Sequence, residues 1–211
     1  PISYADVPSQ NFPVDVPESG LNQSFENFSY VNKYYDQPNV DYTNYTEDIF
    51  VGYRHYATRG VEVAYPFGHG LTYTDFELSD MKVKRAKGNI TVSCKVTNTG
   101  SRATKQVVQL YSTALFPDHE RPLVELRGYY KTPTLSPGQS KVVEINISND
   151  DLAIFIEEQS AWVVPAGDYR LSLGFSSADL RANKEIFIPT TTVVRKVTDI
   201  LKPTDGKLFI E

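Results

Sequence analysis

Three pairs of neighbouring carboxylates are the first candidates for acid–base chemistry in this sequence. Hydrolysis by such chemistry needs two carboxyl groups that face each other across the bond to be cleaved. Adjacent residues on a strand point to opposite faces, so a neighbouring pair rarely converges on one substrate. Solvated turns and helix caps explain these pairs better, and we predict no catalytic residue from them. The pairs are Glu47 with Asp48, Asp150 with Asp151, and Glu157 with Glu158.

The three histidines are His55, His69 and His119. No two of them have the i, i+4 spacing that places ligands on one helix face, and no cysteine accompanies them at zinc-site spacing. His69 lies in the segment Phe67-Gly68-His69-Gly70, where glycine lets the backbone turn tightly. A structural, hydrogen-bonding histidine is therefore favoured over a ligand or a catalyst.

Other binding motifs are also missing from the sequence. Asp41, Asn44, Glu47 and Asp48 offer oxygen ligands, but without the spacing and central glycine of a calcium loop. The sequence contains no nucleophile elbow, no phosphate-binding loop and no dinucleotide fingerprint. We expect neither a metal nor a cofactor.

Two single residues have more than one interpretation. Cys94 is the one cysteine and lies in an alternating apolar pattern, which favours a small buried hydrophobe over a reactive thiol. Trp162 is the one tryptophan and stands among apolar strand residues. Core or inter-domain packing is the favoured role for it, and stacking on a sugar face is the alternative.

Composition and the ends of the sequence restrict the partners. The net charge of -5 provides no basic surface for nucleic acid, and no apolar run has the length of a membrane span. The sequence begins Pro1-Ile2-Ser3-Tyr4, without an initiator methionine or a leader. We expect a piece of a longer or processed protein whose localisation signals lay upstream.

The elements divide near residue 70. Residues 1–60 are rich in tyrosine, asparagine and proline without sustained periodicity, and they have too many aromatics for a disordered tail. From Phe76 onward, short alternating strands are separated by turn signals such as Lys87-Gly88-Asn89 and Pro137-Gly138. Seven or eight antiparallel strands of this kind predict an all-β sandwich of two packed sheets. The predicted strands include 76–83, 90–96, 108–111, 123–130, 143–147, 161–164, 169–175 and 185–188.

Two segments at this division resemble glycoside hydrolase family 3. Tyr45–Tyr56 reads YTEDIFVGYRHY and Ala64–Phe76 reads AYPFGHGLTYTDF. In that family, similar segments join the second catalytic domain to a fibronectin type III-like domain. Tyr65, Thr72 and Asp48 stand where the family usually has phenylalanine, serine and glycine. Further similarities follow in the family's order at 96–100, 107–111, 126–131, 135–140 and 166–169.

The resemblance implies a fold, a division into domains and an activity. Residues 1–70 would be the tail and linker of an α/β domain, extended and mostly irregular, 71–200 a fibronectin type III-like (immunoglobulin-like) sandwich, and 201–211 a C-terminal tail. The complete enzyme would be a retaining β-glucosidase or β-xylosidase in the periplasm or secreted. Its catalytic aspartate and glutamate would lie upstream, so this chain is expected to be inactive alone. The upstream domains would be its partners, and the connection 114–125 could border bound oligosaccharide.

Two other functions remain as alternatives. The sandwich could be a carbohydrate-binding module that grips polysaccharide through Tyr129, Tyr130 and Trp162, since ring stacking on sugars needs exposed aromatics. It could also be an adhesion-type sandwich unrelated to enzymes, which the junction segments argue against. Neither alternative involves nucleic acid or a membrane.

Overall fold

The computed structural model describes residues 48–116 and 121–198. These residues form ten strands, one α-helix and two single turns of 3-10 helix, at Asn149–Leu152 and Glu157–Gln159. In chain order the other elements are α1 Tyr53–Arg59, β1 Phe76–Ala86, β2 Asn89–Asn98, β3 Val107–Ala114, β4 Glu125–Lys131, β5 Ser140–Ser148, β6 Ile154–Ile156, β7 Ala161–Val164, β8 Gly167–Gly174, β9 Leu180–Ile188 and β10 Thr192–Lys196.

Two antiparallel sheets form the sandwich that the alternation predicts. One has the strand order β1-β2-β5 and the other β4-β3-β8-β9. In β2 every second residue is buried, and these residues pack against the inner face of the second sheet. Burial of such an aliphatic side chain contributes roughly 1.5–3 kcal/mol, so this shared core is the main stabilising term. The all-β prediction is confirmed.

Arginines close the open edge between the two sheets. Arg181 of β9 donates from Nη1 to the carbonyl of Phe76 at 2.6 Å. Arg85 of β1 donates to the carbonyl of Phe187 over the same distance. Both bonds join β1 to β9, which belong to different sheets. The first and ninth strands are thereby held together along one side of the sandwich.

The turns agree with their residue types. The β1–β2 hairpin has the two-residue loop Lys87-Gly88, with φ of 50° and 81°, which is the sign that a type I′ turn requires at both positions. The predicted helical turn after β5 is the 3-10 turn at Asn149–Leu152. The Asp151 carboxylate accepts hydrogen bonds from the N–H and hydroxyl of Ser148, at 2.7 and 3.0 Å, so it caps this turn.

Two features differ from the pattern-based expectations. A small third sheet of order β10-β7-β6 adds β6 and β10 to the predicted strands, and both are too short for a periodic signal. The segment before β1 was expected to be extended, yet it contains helix α1. No residue of α1 is buried, so this helix lacks the amphipathic stripe by which sequence reveals a helix. The domain limits 1–70, 71–200 and 201–211 remain predictions.

Candidate functional site

The segment Asp48–Asp75, called the linker below, covers the outer face of the four-stranded sheet. The Tyr53 ring stacks on Phe67 with ring centroids 4.5 Å apart. It also meets the edge of Tyr111 of β3, at 6.3 Å and 74°. Tyr111 has no exposed surface although it points away from the core of the sandwich. Burial, together with the neighbouring Tyr53, raises the pKa of the Tyr111 phenol.

A glycine turn fixes the linker to this face. Gln109 of β3 donates from Nε2 to the carbonyls of Gly68, at 3.1 Å, and Phe175, at 2.8 Å. Its Oε1 accepts a hydrogen bond from the hydroxyl of Tyr111. Gly68 has φ of 79°, and a Cβ there would lie 2.2 Å from Gln109 Oε1. The close approach therefore requires glycine at position 68.

Helix α1 holds the connection between β3 and β4. The Tyr53 hydroxyl accepts a hydrogen bond from the backbone N–H of Leu126 at 2.9 Å. The Thr58 hydroxyl accepts one from the N–H of Leu123 at 2.8 Å. From the other side, Thr113 of β3 donates to the Leu123 carbonyl at 2.7 Å. The described part of the connection 114–125 is thus held by both the linker and the sheet.

A charged group lies beside this connection, in β4 and α1. Arg127 pairs with Glu125 at 2.6 Å and donates from Nε to the Ser112 hydroxyl at 2.7 Å. Arg54 approaches the other oxygen of Glu125 at 3.7 Å. Burial lowers the pKa of the Arg127 guanidinium, and the nearby Glu125 carboxylate opposes that effect. The pair is largely enclosed, whereas Arg54 is partly open to solvent.

Asp48, Glu157 and Glu158 line one cleft with Glu125, whereas Asp150 and Asp151 lie outside it. Asp151 serves as a cap and its neighbour Asp150 is exposed. Glu157 and Glu158 form an exposed 3-10 turn after β6. Asp48 is exposed, and its neighbour Glu47 lies outside the described residues.

Two of the histidines and the cysteine lie in the described residues. His55 meets the edge of Tyr56, and His69 packs against Tyr65, each with ring centroids 5.5 Å apart. His119 lies outside the described residues, as do Asp41 and Asn44. Cys94 is 2% exposed and burial raises its pKa from 9.0 to about 11, so it is the predicted buried hydrophobe.

Within 48–116 and 121–198, no group of three His, Cys, Asp or Glu side chains is arranged to hold a metal ion. In the same ranges, no helix has the length and apolar character to cross a membrane.

Trp162 is not a core residue. It remains 37% exposed, and its ring lies against Phe155 of β6 with centroids 5.6 Å apart. Tyr129, another candidate from the sequence, is 68% exposed on β4, whereas Tyr130 packs against the core. Trp162 lines a cleft that also contains the Glu125–Arg127 pair.

Comparison with known proteins assigns this part of the chain. Residues 106–177 match the model of the fibronectin type III-like domain. The chain resembles thermostable beta-glucosidase B of Acetivibrio thermocellus, with 39% identity over 160 residues. It also resembles a beta-glucosidase of Kluyveromyces marxianus, with 45% identity over 143 residues. The chain contains the fibronectin type III-like domain of glycoside hydrolase family 3.

A solved structure extends this family likeness to most of the chain. Beta-glucosidase 3B from Thermotoga neapolitana superimposes with a TM-score of 0.77 and 37% identity over 92% of this chain. The matched residues make up 92% of this chain for the Thermotoga protein, 74% for the Acetivibrio relative and 67% for the Kluyveromyces relative. They make up only 24%, 21% and 17% of those three larger proteins, in the same order. The matched residues therefore correspond to about a fifth of each larger family 3 protein.

Sequence reasoning found the junction segments of the family 3 domain but not the residues they contact. Gln109 and Tyr111 were assigned to a strand without a role, and Arg127 and Glu125 were not singled out. A glutamine and a tyrosine two residues apart lie on the same face of a strand. On the face away from the core they indicate that another segment covers them, because each needs a hydrogen-bond partner when it is buried. That partner is the linker.

Proposed function

We propose that this chain is a non-catalytic, structural part of a β-glucosidase-type enzyme that removes terminal β-linked sugars from oligosaccharides. The relatives that share its fold bear the name beta-glucosidase and are roughly four times as long. The catalytic carboxylates would then belong to upstream domains of the same polypeptide.

The observation that carries this proposal is the docking of the linker on the sandwich. The Tyr53–Phe67 stack, the Gly68 turn and the bonds to Leu123 and Leu126 fix the linker to one sheet. Because the sheet fixes the position of the linker, it also fixes the direction in which the chain continues from the linker towards the upstream domains. The domain would act as a brace that fixes the upstream body relative to itself.

The linker also presents apolar side chains for an upstream partner. Leu71 and Tyr73 are 95% and 92% exposed, and Tyr65 and Val51 are also largely exposed. Exposed apolar surface concentrated on one segment marks a candidate interaction site. We assign it to the upstream catalytic domains, in a protein that works in the periplasm or outside the cell.

The connection 114–125 is the part of the domain proposed to lie near oligosaccharide. Tyr53 and Thr58 hold its end next to the linker, which would place it beside the upstream body. Deletion of residues 116–121 from the parent enzyme tests this placement. Altered kcat/KM on longer oligosaccharides, with unchanged values on an aryl β-glucoside, is the expected result. Unchanged kinetics on every oligosaccharide would contradict the placement.

The brace itself is tested in the parent enzyme by Gly68→Ala. Displacement of the linker should lower the melting temperature of the catalytic part and reduce aryl β-glucoside hydrolysis after mild heating. Gly60→Ala is the matched control, because a Cβ there contacts nothing within 4 Å. Equal heat resistance of the two variants, with Gly68→Ala still folded, would contradict a bracing role. Separately, the 211-residue chain should not hydrolyse aryl β-glucosides.

A further inference from the structure

A cleft of about 430 Å³ opens between the small third sheet, the start of β4 and the linker. Its lining includes two aromatic side chains, Phe155 and Trp162, called the aromatic wall below, and three charged ones, Arg54, Glu125 and Arg127, called the polar wall. The other lining residues are Asp48, Ile49, Ala153, Ile154, Ile156, Glu157 and Glu158. Sites for small molecules are typically clefts of about 300–1,000 Å³ with an apolar lining and a few converging polar groups. The cleft has the volume of such a site and a lining of both apolar and polar side chains.

The aromatic wall is a pair of neighbours on adjacent strands. Phe155 of β6 is the cross-strand partner of Trp162 of β7, and their rings are tilted by 57°. The alternate residues Ile156, Ala161 and Val163 fill the small core cluster on the opposite face. Phe155 and Trp162 remain 42% and 37% exposed, so apolar ring surface faces the cleft rather than the protein interior.

The polar wall offers paired donors and acceptors in fixed positions. Arg127 is held by Ser112 and Glu125, at 2.7 and 2.6 Å, so its guanidinium plane is set before any ligand arrives. Arg54 is 3.7 Å from Glu125, which is longer than a hydrogen bond and leaves its donors available. A guanidinium group can donate through two nitrogen atoms and a carboxylate can accept through two oxygen atoms, so each can contact two neighbouring hydroxyl groups of a ligand.

The charges that line the cleft restrict its ligand. Two guanidinium groups, of Arg54 and Arg127, face four carboxylates. An anionic ligand such as a phosphate or a uronic acid is disfavoured by the negative excess. The four carboxylates are those of Asp48, Glu125, Glu157 and Glu158.

We propose that this cleft binds one neutral pyranose unit of an oligosaccharide, stacked on Trp162 and hydrogen-bonded by Arg54, Glu125 and Arg127. A pyranose has one apolar face and a rim of hydroxyl groups, and the two walls offer the complement of each. This site is independent of the proposed enzymatic activity, because it needs no residue outside the described chain.

The 211-residue chain provides its own probe, since Trp162 is its single tryptophan. Its fluorescence is recorded during titration with cellobiose, with xylobiose and with glucuronic acid. A saturable emission change in the millimolar range is expected for one or both neutral disaccharides and none for the acid. An unchanged emission with every sugar, while acrylamide still quenches Trp162, would overturn the proposal. Equal responses to the acid and the neutral sugars would overturn it as well.

Variants locate the binding within the cleft. Arg54→Ala should weaken neutral-sugar binding about tenfold or more without changing the far-UV circular dichroism, because Arg54 makes no short hydrogen bond within the fold. Tyr129→Ala removes an aromatic ring that is 68% exposed outside the cleft, so it should bind as the unmodified chain does. Loss of binding in Tyr129→Ala with retention in Arg54→Ala would place the sugar elsewhere and refute the cleft.

A second measurement does not depend on fluorescence. In isothermal titration with the preferred disaccharide, Trp162→Ala should abolish the heat signal, whereas Trp162→Phe should retain part of it. Identical titrations for Trp162→Ala and the unmodified chain would contradict stacking on this ring.

Discussion

The hydroxyl of Tyr53 accepts a hydrogen bond from the backbone N–H of Leu126 at 2.9 Å, while its ring stacks on Phe67. One side chain of the linker thus contacts both the start of β4 and the glycine turn. The edge of the same ring closes over Tyr111 of β3. Tyr53 therefore joins three separate segments of the chain at one point.

Removal of the Tyr53 hydroxyl should weaken this junction without disturbing its packing. In Tyr53→Phe the ring remains and the N–H of Leu126 loses its partner, so we expect a loss of about 1 kcal/mol in the free energy of unfolding. Urea denaturation followed by circular dichroism measures it. Tyr129→Phe is the control, because Tyr129 is 68% exposed and should show no change. Equal stability of the two variants would show that the bond has no net effect.

Alanine at position 68 should be more damaging than at another glycine of the linker. Gly68 and Gly60 both have positive φ, at 79° and 66°, so both substitutions carry backbone strain of about 1–3 kcal/mol. A Cβ at Gly68 also overlaps the Gln109 amide at 2.2 Å, whereas one at Gly60 contacts nothing within 4 Å. Gly68→Ala should therefore lower the melting temperature further than Gly60→Ala does.

A double-mutant cycle separates this overlap from the strain. In a Gln109→Ala background the amide is gone, so Gly68→Ala should cost about as much as Gly60→Ala. If the cost at position 68 is the same in both backgrounds, the overlap with Gln109 is not its cause.

Alkaline pH should destabilise the fold through Cys94. Burial raises the pKa of this thiol from 9.0 to about 11, so the folded state retains its proton more tightly than the unfolded chain. The stability that the protonated thiol contributes is fully present below the pKa of the unfolded chain and is lost as the pH rises towards the pKa of the folded state. The free energy of unfolding should fall by about 1 kcal/mol between pH ~8 and pH ~10 for this reason. Cys94→Val should lose less stability than the unmodified chain over this interval. Parallel pH profiles would contradict the assignment.

The two members of the Asp150–Asp151 pair should differ in their effect on stability. Asp151 accepts two hydrogen bonds from Ser148, so Asp151→Ala should cost about 1 kcal/mol in urea denaturation. Asp150 is exposed, and no side-chain hydrogen bond was found for it, so Asp150→Ala should be close to neutral. Equal losses would indicate that the cap contributes nothing specific to Asp151.

The sandwich could be predicted from sequence because strands such as β2 alternate over many residues, here from Asn89 to Asn98. Strands β6 and β10 could not, since three and five residues carry no period. Helix α1 was missed because it buries no residue and is held by polar contacts such as that between Thr58 and Leu123. Contacts between distant residues leave no local pattern.

The candidate site shows the same division. The junction segments around Gly52 and Gly68 were visible as a family resemblance, and Cys94 is the buried hydrophobe that its pattern predicts. His69 is exposed against Tyr65, so its hydrogen-bonding role stays a prediction. The cleft at Trp162 was not predicted, because its polar wall comes from Arg54, Glu125 and Arg127, which are separated in sequence. Only the fold brings these three side chains into one cleft with Trp162.

The hydrogen bonds of the linker and of β1 also determine the order in which the chain can fold during synthesis. The Gly68 carbonyl cannot accept its hydrogen bond until Gln109, 41 residues later, has been synthesised. The Phe76 carbonyl likewise needs Arg181, 105 residues later. Pairings over such distances form slowly, because a long loop must close before any contact rewards it. The linker therefore leaves the ribosome well before the sheet that binds it is complete, and a chain that stops before Ser177 lacks the backbone N–H that binds the Phe67 carbonyl.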